Sequence, residues 1–272
     1  MKRWSFDTVL GLLALLTFAA TRLIGLAQYP IYFFTDEAAS TVLAAEFLDN
    51  GFRDQSGQLF PTYFQNGPSI SLGTSVYAQM VPHLFFGQSI FVTRAVPALI
   101  AITGALAVGL IFKHVFKSRW WWTSILLLSL TPAWFLHSRT AFEHTLWVSF
   151  FAWFLYCYLR YRADQPKHLI TAVVFAALSF YSYNGGQLGI VIMGLLLFII
   201  DWRYHLQQRR VVLIALGVAI ACALPYVRFQ TPLAPLSSRE RGTWRRPTAP
   251  CCSHCSLRRS AACWCRPMCC AI

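Results

Sequence analysis

Asp36 and Glu37 are the residues best placed for chemistry in this sequence. They follow Phe34-Thr35, where a helix should begin. Thr35 is in place to cap it, the two acids fill its first turn, and Gly51 stands where it would end. Acids in a first turn complement the helix dipole by about 0.3–1 kcal/mol each. The chemical reading is that Asp36 is a general base that deprotonates a hydroxyl nucleophile. A helix N-terminus keeps a carboxylate ionised, the form a base needs, while weakening its basicity. Arg22, Arg94, Arg139 and Glu143 are further charges that border or interrupt apolar segments, where charge is costly and points to a site by default. Arg22 is in position to snorkel to the surface. Arg139 and Glu143, four apart, would form a simple intrahelical pair if helical. His144 beside Glu143 raises a divalent metal, but two ligands without a third are weak evidence. No metal or cofactor is therefore expected. No P-loop, GxGxxG after a strand, HExxH or nucleophile motif occurs.

The elements that must hold these residues lie in a membrane. Of 272 residues, 57% are hydrophobic and 12% charged, about half the charge of an ordinary globular chain. Apolar runs near twenty residues recur, which excludes a soluble enzyme, a secreted disulfide scaffold and a disordered tail. The net charge of +13 sits mostly between apolar segments and near the C-terminus. It reports topology, and no nucleic-acid partner is expected. The runs lie at about 8–28, 68–86, 90–112, 120–136, 145–161, 169–183, 187–201 and 211–228. The cationic connections Lys113–Arg119, Arg160–His168 and Arg203–Arg210 belong in the cytoplasm by the positive-inside rule. With the N-terminus also inside, the first span ends outside, and an odd number of crossings must lie between that end and Lys113. The segment 68–86, with Pro68, Gln79, Pro82 and His83, is the one set on the outer surface. The fold class expected is an all-α polytopic membrane protein of about seven transmembrane helices. Its long first outer loop carries two juxtamembrane helices, 36–50 and 68–86. The first should bury Ala38, Ala39, Val42, Leu43 and Phe47. Residues 57–68 read as irregular, functional loop, and Trp120-Trp121-Trp122 as part of an interfacial belt.

Residues 231–272 are different material. They hold seven of the nine cysteines, seven arginines, five prolines and one acid, Glu240, with no aliphatic pattern. The cysteines do not repeat as zinc-type pairs. The segment reads as a disordered or out-of-frame tail behind residues 1–230, the N-terminal part of a longer protein.

Thr21-Arg22-Leu23-Ile24-Gly25-Leu26, Tyr29-Pro30 and Phe34-Thr35-Asp36-Glu37-Ala38 together resemble the opening of the GT-C membrane glycosyltransferases, nearest their protein O-mannosyltransferase and lipid A aminoarabinose transferase branches. Asn66-Gly67-Pro68, Thr93-Arg94-Ala95-Val96-Pro97-Ala98-Leu99 and Ser138-Arg139-Thr140-Ala141-Phe142-Glu143 are similar to later motifs of that family, in order, over about residues 15–200. The resemblance implies transfer of a sugar from a polyprenyl-phosphate donor to a glycan, lipid or protein acceptor hydroxyl at the extracytoplasmic face of the cell membrane. The phosphate is already a good leaving group, so the reaction needs a base and cations. Asp36 would be the base and Glu37 its orienting partner. Arg94 and Arg139 would be phosphate-side cations, and Glu143 would organise the acceptor. The alternatives are a transporter or flippase for lipid-linked sugars, or a non-catalytic membrane subunit. Against transport, no internal repeat is visible and the charges cluster at the outer face.

Overall fold

A computed structural model of the chain describes residues 6–55, 57–66, 69–163 and 165–230; the Cys-rich tail expectation lies outside the described residues. The architecture is all-α, a membrane protein with one small hairpin. α1 (Phe6–Leu23) leads through a coiled turn to α2 (Thr35–Asp49), then β1 (Tyr63–Asn66), β2 (Ser69–Leu72) and α3 (Gly73–Phe86). α4 (Ile90–His114), α5 (Trp121–Leu130), α6 (Pro132–His137), α7 (Glu143–Arg162) and α8 (His168–Phe180) follow. A 3₁₀ turn (Asn184–Gly186) opens α9 (Gln187–Ile200), and α10 (Trp202–Gln207) and α11 (Arg209–Gln230) complete the bundle. α1, α4 and residues 209–228 of α11 are long and apolar enough to cross a membrane. The other four expected spans fall on α5–α6, α7, α8 and α9, which are shorter or more polar.

Packing runs α5–α1–α4–α7–α8–α11. Lipid supplies little hydrophobic drive between helices, so close backbone approach has to hold them. α4 provides it with a small-residue face of Ala98, Ala101, Gly104 and Ala105. A Cβ on Gly104 would lie 2.9 Å from Ser149 Cα on α7, and one on Gly11 would overlap the Trp121 ring. Trp121 is thus 7% exposed and part of the core, where an interfacial belt was expected, while Trp120 remains outside at 67%.

At Pro97, Pro132 and Pro225, three of the prolines that interrupt the helices, another element takes up nearby backbone groups. Proline has no N–H to donate to the carbonyl four residues earlier, and in lipid that carbonyl must find another donor. Pro97 frees Thr93 O, which accepts from Gln79 Nε2 of α3 at 2.7 Å. Pro132 divides α5 from α6, and Leu128 O accepts from Arg22 Nη2 at 3.2 Å. Near Pro225 the Tyr181 hydroxyl enters the α11 ladder, accepting from Tyr226 N–H (3.1 Å) and donating to Cys222 O (2.8 Å).

The segment between α1 and α4 departs from expectation in two places. Residues 63–66 and 69–72 pair as an antiparallel hairpin, Tyr63 opposite Leu72, so the second juxtamembrane helix starts at Gly73 and not at 68. Burial drives this: Phe64, Leu72 and Val76 are 0–2% exposed, and Phe64 and Val76 join Leu43, Ala44 and Phe47 of α2 in one cluster. α2 is also rotated. Its buried side is Glu37, Ser40, Thr41, Leu43, Ala44 and Phe47, and Val42 is exposed. The inward turn of Glu37 sets that rotation.

Candidate active site

The end of the bundle at the α1 C-terminus is organised by four charged side chains drawn from four segments. Glu37, in the first turn of α2, is fully buried and meets Arg94 of α4 in a bidentate pair, Nε–Oε2 2.8 Å and Nη2–Oε1 3.0 Å. It also accepts from Phe34 N–H (3.3 Å) and Ala141 N–H (3.1 Å). Phe34, in extended conformation, is the N-cap position in place of Thr35, and Glu37 at N3 reaches back to its N–H. A buried ion pair is tolerable only when its remaining lone pairs and protons are satisfied, and this one is. The other Arg94 donors go to Leu26 O, Pro30 O and Tyr32 O. Glu37 and Arg94 therefore tie α2, α4, the 26–32 turn and residue 141 together.

Arg139 completes the end of α1. A helix leaves its last four carbonyls without intrahelical donors, and cations near them are favoured by the dipole. Arg139 donates to Thr21 O, Arg22 O (3.2 Å), Ile24 O (2.9 Å) and Tyr29 O (3.1 Å). The expected Arg139–Glu143 intrahelical pair does not form, because α6 stops at His137, α7 starts at Glu143, and Arg139 turns to α1. Arg22 does not snorkel. It is fully buried, donating to Ser138 Oγ (2.9 Å), Thr21 Oγ1 (2.8 Å) and the α5 carbonyls, with Phe18 and Phe135 against its plane. Among the described residues, neither Arg22 nor Arg139 has a carboxylate within 4.0 Å. Two buried positive charges thus stand at one end of α1, satisfied in hydrogen bonds but not in charge.

Asp36 and Glu143 are the further acids at this end, the first exposed and the second half-buried. Asp36 is exposed, on the turn that Glu37 anchors. Glu143 heads α7 ahead of its apolar stretch, with Ser75 Oγ of α3 at 3.4 Å from Oε1. Burial pushes its carboxyl up to about 7, and the nearby Asp36 charge pushes the same way. His144 Nε2 lies 2.8 Å from His137 Nδ1, and its ring stacks on Phe142. Burial, and then His137, lower its basicity to about 4. Among the described residues no three His, Cys, Asp or Glu side chains gather as a metal site. An exposed carboxyl near one that burial pushes up is an arrangement from which a base and an acid can be drawn.

Ser75, Gln79, Ser138 and His137 are members of this site that sequence reasoning did not single out. Gln79, a lone amide in an apolar run, was the one visible signal. A family model described as dolichyl-phosphate-mannose-protein mannosyltransferase matches residues 74–229, from α3 to α11, a stretch that holds Arg94, Arg139 and Glu143 but not Asp36 or Glu37. No curated protein and no solved structure matches the chain.

Proposed function

The chain belongs to the dolichyl-phosphate-mannose-protein mannosyltransferase family of GT-C membrane glycosyltransferases, and from that premise we propose that it moves a sugar from a polyprenyl-phosphate donor to an acceptor hydroxyl on the extracytoplasmic side. The N-terminus is then cytoplasmic and the Asp36 end faces outside. Asp36 takes the acceptor proton as the acceptor oxygen bonds to the anomeric carbon. The bond from that carbon to the phosphate oxygen breaks, and the electron pair leaves with the polyprenyl phosphate. No general acid is required, because the phosphate leaves as a stable anion.

The observation that carries the reading is the pair of buried, uncompensated arginines, Arg22 and Arg139, at the same end of the bundle as the open Asp36 carboxylate. Buried charge without a counter-charge is strongly unfavourable, and a phosphate provides the missing anion. Arg139 keeps its proposed place on the phosphate side, acting mainly through its field because its donors already meet backbone carbonyls. Arg94 has all its N–H groups committed and its charge matched by Glu37, so it acts as a positioning residue with Glu37. Glu143, which burial keeps protonated further up the pH range than an ordinary carboxyl, orients the acceptor beside Asp36.

The test is transfer from a radiolabelled polyprenyl-phosphate sugar in membranes containing the chain. Asp36→Asn preserves size and removes the basic oxygen, so activity should fall about 10²–10⁴-fold with donor binding kept. Retention of more than about a tenth of the activity removes Asp36 as base. Arg139→Ala should instead weaken donor binding.

A further inference from the structure

A cavity of about 450 Å³ lies between α7, α8, α9 and α11, and its lining is almost wholly apolar. Small residues make the space: Ala172 and Ala176 on α8, Gly194 on α9, Ala215 and Ala219 on α11. Tyr181 and Tyr226 line one end, and Tyr158 and His205 the other. The His205 ring is 5% exposed and stacked between Phe198 and Tyr161. Tyr161 Oη lies 2.9 Å from Nδ1, while Nε2 is buried with no partner among the described residues. With the tyrosine donating to Nδ1, Nε2 carries the ring proton; the nearby Leu197 carbonyl already accepts from Tyr158 Oη and Asp201 N–H, which leaves that proton for a further acceptor.

The His205 end is strongly cationic. The connections 160–168 and 201–210 carry Arg160, Arg162, Lys167, Arg203, Arg209 and Arg210 against Asp164 and Asp201, and Asp201 is already paired with Arg162 at 3.0 Å. A cavity of this size suits one small ligand. Two turns of helix, at a diameter of about 10–12 Å, would need roughly twice the space.

We propose that this cavity is a binding site for an anionic glycerophospholipid of the leaflet at the cationic end. One acyl chain lies between α8, α9 and α11, an ester or phosphate oxygen accepts from His205 Nε2, and the headgroup meets the cationic rim. The site is independent of sugar transfer and lies at the opposite end from Asp36.

The experiment uses the chain in mild detergent, titrated with phosphatidylglycerol or phosphatidylcholine of identical acyl chains, and reads bound lipid by native mass spectrometry and the unfolding midpoint. Phosphatidylglycerol should half-saturate at a concentration at least tenfold below phosphatidylcholine. A Cβ on Gly194 meets nothing within 4 Å, so Gly194→Phe fits the helix and fills the cavity. It and His205→Phe should each weaken phosphatidylglycerol binding at least tenfold, and Asp36→Asn should leave it unchanged. Equal binding of the two lipids, or full binding by a folded Gly194→Phe protein, overturns the proposal. If Gly194→Phe fails to fold, Ala219→Leu on the facing wall takes its place, with the same expected loss.

Discussion

Glu143→Gln isolates the electrostatics of the Asp36 end from its shape. The amide matches the carboxyl in size and its oxygen can still accept from Ser75 Oγ, which lies 3.4 Å from Oε1. What changes is the ability to ionise. Burial raises the Glu143 carboxyl from 4.5 to about 7, which at about 1.36 kcal/mol per tenfold is roughly 3 kcal/mol. A carboxyl raised in the folded state binds more protons there than in the unfolded chain. Stability therefore falls as pH climbs from about 4.5 to about 7, and the full loss is present above that window. The glutamine variant lacks this loss. It should unfold like the parent near pH 4.5 and be more stable at pH 8, by up to roughly 3 kcal/mol, or on the order of 5–10 °C in midpoint for a bundle of this size. Unfolding midpoints of both proteins in one detergent, measured from pH 4.5 to 8.5, decide it. Parallel curves across that range would refute the argument, because they would mean that Glu143 ionises without hindrance. In the transfer assay the variant should keep donor binding and lose the alkaline fall of the pH profile.

Arg22→Met leaves Leu128 O and Ser138 without their donor and should lower stability by about 1–3 kcal/mol, seen as an earlier unfolding midpoint; no change would mean that water reaches the α5–α6 break. Gln79→Leu should cost a similar amount by orphaning Thr93 O, and Pro97→Ala in the same chain should recover most of it, since the restored N–H then meets that carbonyl. Tyr181→Phe should loosen α11 around Pro225, read as faster hydrogen exchange at Tyr226 N–H than in the parent. A cysteine at the exposed Gln88, between α3 and α4, should react with an impermeant reagent from outside only; cytoplasmic labelling would overturn the topology.

The positions of the helices were legible because hydropathy and charge act locally. The runs at 90–112, 145–161 and 211–228 reappear as α4, α7 and α11 with small shifts at their ends. The hairpin at 63–72 was not, since its strands form by burying Phe64 and Leu72 against distant helices, and nothing in the Gly- and Pro-rich stretch announces that. The charged residues were legible as a set but not in their contacts. Arg94, Arg139 and Arg22 donate mainly to backbone carbonyls 62 to 118 positions away, and carbonyls are present at every residue. The motif pair Asp36-Glu37 read as one unit, yet the two side chains part company, one turned inward to Arg94 and one left at the surface.

The arginine contacts also set a schedule for biogenesis. α1 emerges before the other described helices, but the donors for its final carbonyls come from Arg139, and the Ser138 hydroxyl that receives Arg22 lies 116 residues later. At translation rates of about 5–20 residues per second, the first helix waits on the order of ten seconds with a charged side chain unsheltered. During that interval Arg22 has no place in hydrocarbon, so the nascent helix must remain at the bilayer edge or beside the insertion machinery. Lateral release of the first helix is thereby coupled to completion of the sixth.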